Sequence, residues 1–445
     1  MTIATDETHR PDRRSWVESA NEPANDFPIQ NLPFGTAFRG GSTTPVVAIG
    51  DRVVDLAAAV RARLIGSRSA SLIARCASTG ALNPLLAAGR PAMTTLRAEL
   101  SELLGDDTEA GREARRHAGD ILVATADVEM RLPSEVGDYS DFYASIHHAT
   151  NVGRMFRPDN PLLPNYKWVP IGYHGRASSL VASGTPVRRP HGQTLTEGAS
   201  EPSFGPSKRL DYELEVGVVI GAGNEQGEAI ALARAEEHVA GLCLVNDWSA
   251  RDIQTWEYQP LGPFLAKSFA TTVSPWLVTM DALAPFRRPA YVRPAGDPGP
   301  LPYLAAAGNQ AGGGVDITLE VLLVSVGMRE QGMAPWRVSI GDFGSMYWTV
   351  AQLVTHHASN GCNLRPGDLM ASGTVSGPSP ESRGCLLERS WRGTEPLVLP
   401  TGEERRFLAD GDEVVIRGWC ERDGYRRIGF GECRGTISAA RSSTR

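Results

Sequence analysis

Cysteine is scarce in this chain: six residues in 445, at Cys76, Cys243, Cys362, Cys385, Cys420 and Cys433, with no C-x-x-C pair among them. So sparse a set signals neither a zinc site nor a disulfide framework, and it fits a reducing cytoplasm. Long hydrophobic runs are missing as well. No stretch is long and apolar enough to span a bilayer, and residues 1–16, MTIATDETHRPDRRSW, lack the apolar core of a secretory signal. Nor is positive charge in excess: 44 basic residues against 51 acidic ones give a net charge of −7, with no dominant run of either sign. The expectation is therefore of no nucleic-acid and no membrane partner. Hydrophobic residues at 41 % and charged residues at 21 % describe an ordinary globular chain and exclude wholesale disorder.

What is present changes character along the chain. Residues 1–25 are polar, without an apolar period, and are expected to form a flexible N-terminal tail. Val46-Val47-Ala48-Ile49, then Gly50-Asp51, then Val53-Val54 predicts a β-hairpin. Stretches such as 92–104 carry helical spacing between breaks at Gly80, Gly89-Arg90-Pro91 and Gly105. Residues 26–132 are thus expected as a small N-terminal domain of strands plus helices. Beyond Pro133 the composition shifts towards Gly, Pro, Trp and Tyr, with short β-rich runs between turns, and 133–445 reads as one large, mostly β domain.

Three segments carry chemistry. In GDYSDFYASIHHAT (137–150), a helix starting at Ser140 would put Asp141 and His148 on one side, ~10 Å apart along the axis, able to flank a small molecule. A capping Asp141 and a satisfied core His148 stay open as the alternative. In LDYELEVGVV (210–219), polar and apolar residues alternate, so Asp211, Glu213 and Glu215 share one strand face. Their mutual repulsion, with no base interleaved, favours a divalent ion over a solvated edge. In NDWSARDIQTWEY (246–258), Asp247, Arg251, Gln254 and Tyr258 recur at helical steps and form a candidate binding stripe, or else a capped helix with a surface ion pair. Lys267 follows an apolar run and is either part of the site or a surface lysine.

Several motifs are decoys. Gly221-Ala222-Gly223 with Gly227 has the wrong spacing for a dinucleotide fingerprint. The serine of Gly373-Thr374-Val375-Ser376-Gly377 is one position off a nucleophile elbow, and His356-His357 lacks the zinc-protease context.

Taken together, the segments at 137–157, 170–190, 210–217, 246–269, 355–374 and 408–416 resemble the fumarylacetoacetase family, and the likeness runs from about residue 26 almost to the end. That resemblance implies a mainly β (α+β) protein, an N-terminal SH3-like small barrel followed by a C-terminal mixed β-roll, assembled as a homodimer. It implies hydrolysis of a carbon–carbon bond in a small diketo acid, 4-fumarylacetoacetate, at the end of tyrosine and phenylalanine catabolism, with Ca²⁺ and/or Mg²⁺. By motif position it assigns Asp141, Glu213, Glu215 and Asp247 to the ion, with Lys267 and Thr271 beside it. His148 becomes the general base held by Glu388. Arg251, Gln254 and Lys267 stabilise developing negative charge, and Tyr143, Arg157, Tyr173, Gln254, Tyr258 and Thr374 contact substrate. His148 is chosen over His147 by its register with Asp141 and Ala149-Thr150-Asn151. A hydratase, a decarboxylase or an acylpyruvate-type hydrolase on the same cation site, and a non-catalytic scaffold, are the rival readings.

Overall fold

The structure, a computed structural model, describes residues 4–442. The N-terminal part is built on an antiparallel five-stranded sheet. Its spatial order is Leu122–Ala124, Arg52–Asp55, Ser42–Ile49, Phe34–Arg39, Glu129–Arg131. The expected hairpin forms here, with Ile49 opposite Arg52 across a two-residue turn whose Gly50 has φ +59°. Helix Ser67–Thr79 ends on a left-handed Gly80, and helix Arg90–Leu104 starts with a proline in its first turn, as the breaks predict.

The N-terminal residues behave differently from expectation. Instead of forming a free tail, the described part of 1–25 carries short helical turns at Glu7–His9 and Glu18–Asn21, with His9, Ser15, Val17 and Ala20 buried. His9 Nε2 meets the Asp281 carbonyl at 2.8 Å, and Trp16 Nε1 donates to the Leu103 carbonyl. A few apolar anchors suffice to hold a polar segment whose composition alone reads as loose. Residues 1–3 of that expected tail, and 443–445 at the other end, lie outside the described residues.

The larger part stacks two sheets. One is eight-stranded and mixed, ordered Gly172–His174, Tyr139–Phe142, Leu369–Ala371, Leu214–Ile220, Val239–Asp247, Thr271–Val273, Leu180–Ala182, with Val278–Thr279 pairing alongside Val239–Asp247. The other holds Trp336–Asp342, Thr318–Val324, Glu413–Cys420, Ile428–Ser438 and Val187–Arg188. Val216, Val218, Leu242 and Leu244 of the first pack with Leu319, Val321, Val414, Ile416 and Phe430 of the second. Val219, Cys243, Val245 and Ala371 point the other way, into the core shared with Phe34, Leu82 and Leu96 of the N-terminal part. Strand Val239–Asp247 is therefore buried on both faces, which is why VAGLCLV reads as a continuous apolar run rather than an alternation.

The decoy glycine motif has a packing cause. A Cβ on Gly223 would sit 2.0 Å from the Leu364 carbonyl oxygen, so the glycine permits close approach of two loops.

Candidate active site

Four carboxylates converge where strands of the mixed sheet end. Asp141 lies in strand Tyr139–Phe142, opposite Ala371 on one side and Tyr173 on the other. Glu215 faces Val245 across the next pairing, and Asp247 ends that same neighbouring strand two residues on, a diagonal cross-strand neighbour. Glu213 joins them from a break in the ladder, where its backbone N–H donates to Asn246 Oδ1 and its carbonyl accepts the Asp247 N–H. One oxygen from each of Asp141, Glu213, Glu215 and Asp247 lies within 4.8 Å of the others, and all four residues are buried.

The geometry corrects three details of the sequence reading. Asp141 is not on a helix with His148; it is on a strand, and the helix is Ile146–Phe156, capped by Ser145, whose hydroxyl accepts from the His148 N–H. Asp211 does not share the acidic face. The strand breaks after it, and it accepts from Arg251 Nε at 2.9 Å and from the Leu386 and Leu387 N–H groups. Asp247 ends a strand, so the four-residue helical stripe shortens to Arg251 and Gln254 in helix Arg251–Glu257 with Tyr258 at its C-cap.

Two cations are buried with the acids. Lys267 Nζ donates to Glu213 Oε2 at 2.5 Å and Asp247 Oδ2 at 2.7 Å, and is no surface lysine. Arg251 Nη2 stands 2.8 Å from Glu213 Oε1, a charge contact outside hydrogen-bonding alignment, while Nη1 donates to Gln254 Oε1. Thr271 and Tyr173 donate from their hydroxyls to the two oxygens of Asp247. Lys267 and Thr271 thus reach the cluster through its carboxylates.

Even so, the acids are undercompensated. Asp141 Oδ1 and Glu215 Oε1 are buried without any hydrogen-bond partner. Burial, then the charge of Asp247, pushes the Asp141 carboxyl well above its ordinary range; burial, then Asp141, does the same to Glu215. Burial acts upward on Glu213 as well, but Lys267 and then Arg251 outweigh it and hold that carboxyl well below the ordinary range. The four carboxylates, with Asp211 drawing on the same Arg251, outnumber the two buried cations, and the two orphaned oxygens are what a divalent ion would take. The residues fit a hard cation.

That fit carries a sign. In metal-free protein Asp141 and Glu215 have raised pKa values, so folding takes up protons at pH above the unfolded carboxylate value of ~4, and stability falls as pH climbs from there. A bound divalent ion removes this loss. The difference in Tm between ion-loaded and chelator-stripped protein is expected to widen from about pH 5 to about pH 8. Scanning fluorimetry in parallel buffers measures it; a gap that is constant or shrinks with pH contradicts the assignment.

Beside the acids stands a second buried constellation. His148, 3 % exposed, places Nδ1 2.6 Å from Glu388 Oε2, and Glu388 is 0 % exposed. Ser376 and Cys385 also donate to Oε2, at 2.7 and 3.2 Å, and Asn151 donates to Oε1 at 2.8 Å. Burial would raise the Glu388 carboxyl, but the His148 ring and these donors hold it at about 2. An ionised carboxylate only accepts, so Nδ1–H donates to Glu388, and in the neutral ring Nε2 is the acceptor. His148, Cys385 and Glu388 are close enough to suggest a metal trio, yet both Glu388 oxygens are already engaged by donors, and burial raises the Cys385 thiol well above its ordinary value. His147 points elsewhere, edge-on to Tyr291 at 6.5 Å between ring centroids.

Both constellations open on one cavity of about 760 Å³. Asp141, Glu213, His148, Arg251, Gln254 and Lys267 line it, and so do Tyr143, Arg157, Tyr173, Tyr258 and Thr374. Thr374 Oγ1 is buried there without a partner. The residues named in the sequence therefore come together, apart from Glu388, Glu215, Asp247 and Thr271, which act from behind the wall. Sequence reasoning missed Asn151 and Ser376. Asn151 is legible in hindsight, one helical turn after His148 on the same face; Ser376 has no local signal.

An α+β fold whose mixed sheet gathers four acids beside a histidine–glutamate pair on a single cavity has the make-up of an enzyme active site able to hold a hard cation. A profile described as Fumarylacetoacetate (FAA) hydrolase C-terminal matches residues 139–438, and one described as Fumarylacetoacetase N-terminal matches 30–133. The chain is 48 % identical to the fumarylacetoacetase of Rattus norvegicus over 421 residues, 94 % of this chain and 97 % of that one. It is 48 % identical to that of Homo sapiens, with the same coverage, and 49 % identical to that of Arabidopsis thaliana over 95 % of this chain and 98 % of the other. The chain belongs to the fumarylacetoacetase family. The fumarylacetoacetate hydrolase structure from the psychrophile Exiguobacterium antarcticum superposes with TM-score 0.50 at 17 % identity, covering 92 % of this chain and 99 % of that one, and so shares the fold. No helix among the described residues is long and apolar enough to cross a membrane.

Proposed function

We propose that the protein hydrolyses 4-fumarylacetoacetate to fumarate and acetoacetate, with His148 as general base. The observation that carries this reading is the meeting of the four-carboxylate cluster and the His148–Glu388 pair on one cavity. Asp141, Glu213, Glu215 and Asp247 would hold Mg²⁺ or Ca²⁺, because an all-oxygen set suits hard cations. When bound, that ion supplies Lewis-acid polarisation for a chelating diketone.

The chain's own groups do the rest. Nε2 of His148, left as the acceptor, takes a proton from water as its oxygen bonds to the carbonyl carbon on the fumaryl side. Glu388 stays anionic at neutral pH and stabilises the imidazolium so formed. The carbon–carbon bond then breaks, its electron pair leaves with the acetoacetate fragment, and that fragment regains a proton. Negative charge on oxygen grows in both steps, and Lys267 and Arg251 are fixed cations where it grows. Arg157 and the tyrosines Tyr143, Tyr173 and Tyr258 anchor the substrate's polar ends.

A homodimer and a cytoplasmic location complete the proposal. They rest on the family likeness and on six unpaired cysteines, five of them buried. Sedimentation of the purified protein tests the dimer.

Direct ultraviolet assay of diketone loss, with identification of both products, tests the reaction. Stoichiometric fumarate and acetoacetate are expected, and a decarboxylated or hydrated product would overturn the reading in favour of its rivals. Lys267→Met is expected to lower kcat by about 10²- to 10³-fold. It also destabilises the fold, because Glu213 and Asp247 lose a buried donor. Steady-state kinetics and a melting curve check the two effects separately.

A further inference from the structure

The cavity is electrically divided. Its inner wall holds the acids, and the two cations there, Lys267 and Arg251, are already paired with carboxylates. Three other cations line the same cavity: Arg157, Arg209 and Arg392. None of the three takes part in any ion pair among the described residues, and all are exposed at the mouth. The proposed substrate has a carboxylate at each end of its carbon chain, with the diketone between them. With the diketone at the acidic wall, two separate carboxylates need partners, and one arginine cannot serve both ends of the chain.

We infer that Arg392 and Arg209 form a second anion-recognition site, distinct from Arg157, that selects the terminal carboxylate of a dianionic diketone. This deepens the proposed function and rests on it. The local structure shows why Arg392 stands at the mouth. Trp391, Arg392 and Gly393 all have positive φ, at 45°, 60° and 90°, and two of them are not glycine. Such backbone is costly and persists where its surroundings impose it. Here the turn follows helix Leu386–Arg389, the element that carries Glu388, so the base's partner and the rim cation are linked through a few residues. Arg392 Nη1 donates to the Met155 carbonyl at 2.9 Å, and its guanidinium lies 4.5 Å over the Phe156 ring, which steers it while leaving Nε and Nη2 free of partners. Arg209 makes no side-chain hydrogen bond, and its carbonyl accepts the Arg251 N–H at the start of the helix that brings Arg251 and Gln254 to the cavity. A carboxylate that meets unpaired guanidiniums on the cavity wall gains charge-assisted bonds without breaking an ion pair already made.

The test compares fumarylacetoacetate with its two mono-methyl esters, using wild type, Arg392→Met, Arg392→Lys and Arg209→Met. For each variant to Met, kcat/KM for the diacid is expected to fall about 10- to 100-fold, mostly through KM. The same change should be largely absent for one of the two esters, the one lacking the recognised carboxylate, and Arg392→Lys should restore part of the selectivity. Arg209→Met guards against misfolding, since that side chain caps nothing. Equal losses on the diacid and both esters would mean a structural role, and no loss on any substrate would mean no recognition; either overturns the inference. Should the wild type itself leave the diacid intact, the proposed function and this inference fall together.

Discussion

His148→Ala is expected to lower kcat by about 10²- to 10⁴-fold and to lower Tm, because buried Glu388 loses the ring that holds it ionised, while divalent-ion affinity stays close to wild type. The loss follows from position. Nδ1 is committed to Glu388, the residue lines the cavity, and no other imidazole lines that cavity among the described residues. His147 supplies the control one residue away. It is half-buried beside Tyr291, outside the cavity wall, and burial lowers its pKa, with Glu388 acting weakly in the other direction. His147→Ala should therefore leave kcat within a few-fold of wild type. Pre-steady-state and steady-state kinetics on both variants check the pair; comparable losses would remove His148 from its role.

Glu215→Gln is expected to weaken divalent-ion binding by about 100-fold or more and to abolish turnover at ordinary ion concentrations. It has a second, less obvious consequence. In the metal-free protein Glu215 is one of four crowded acids, has an orphaned oxygen, and is pushed upward by burial and by Asp141. A neutral amide of the same shape relieves repulsion, so stripped Glu215→Gln should melt higher than stripped wild type, and the order should reverse once the ion is added. Calorimetric titration gives the affinity, and melting curves with and without chelator give the crossover. A variant that binds the ion normally would show that Glu215 is no ligand.

How much of this was written in the residue order depends on the scale. Local chemistry was legible: the Gly50-Asp51 hairpin, the glycine-bounded helices of the N-terminal part, and the crowding of acids at 211–215. Inference at the next scale misfired where tertiary pairing overrode a periodic pattern. Asp141 and His148 were expected on one helix because seven residues make two turns, yet the backbone of 139–142 hydrogen-bonds in parallel to 369–371, a partner more than two hundred residues away. The face shared by Asp211, Glu213 and Glu215 assumed an unbroken strand, and the ladder breaks between the first and last of them so that Asp211 can hold Arg251. Glu388 could be named only through family resemblance, because nothing in LLER announces that its carboxylate meets an imidazole 240 residues away in sequence. Arg209 and Arg392 were invisible for the same reason: a free cation is defined by the acids that fail to reach it.

The site's convergence is open to one direct measurement. Anomalous diffraction from crystals soaked in Mn²⁺, a surrogate for the harder ions at oxygen sites, should give a single strong peak enclosed by Asp141, Glu213, Glu215 and Asp247, with His148 still hydrogen-bonded to Glu388 across the cavity. A peak between His148, Cys385 and Glu388 instead, or four acids splayed around nothing, would contradict it.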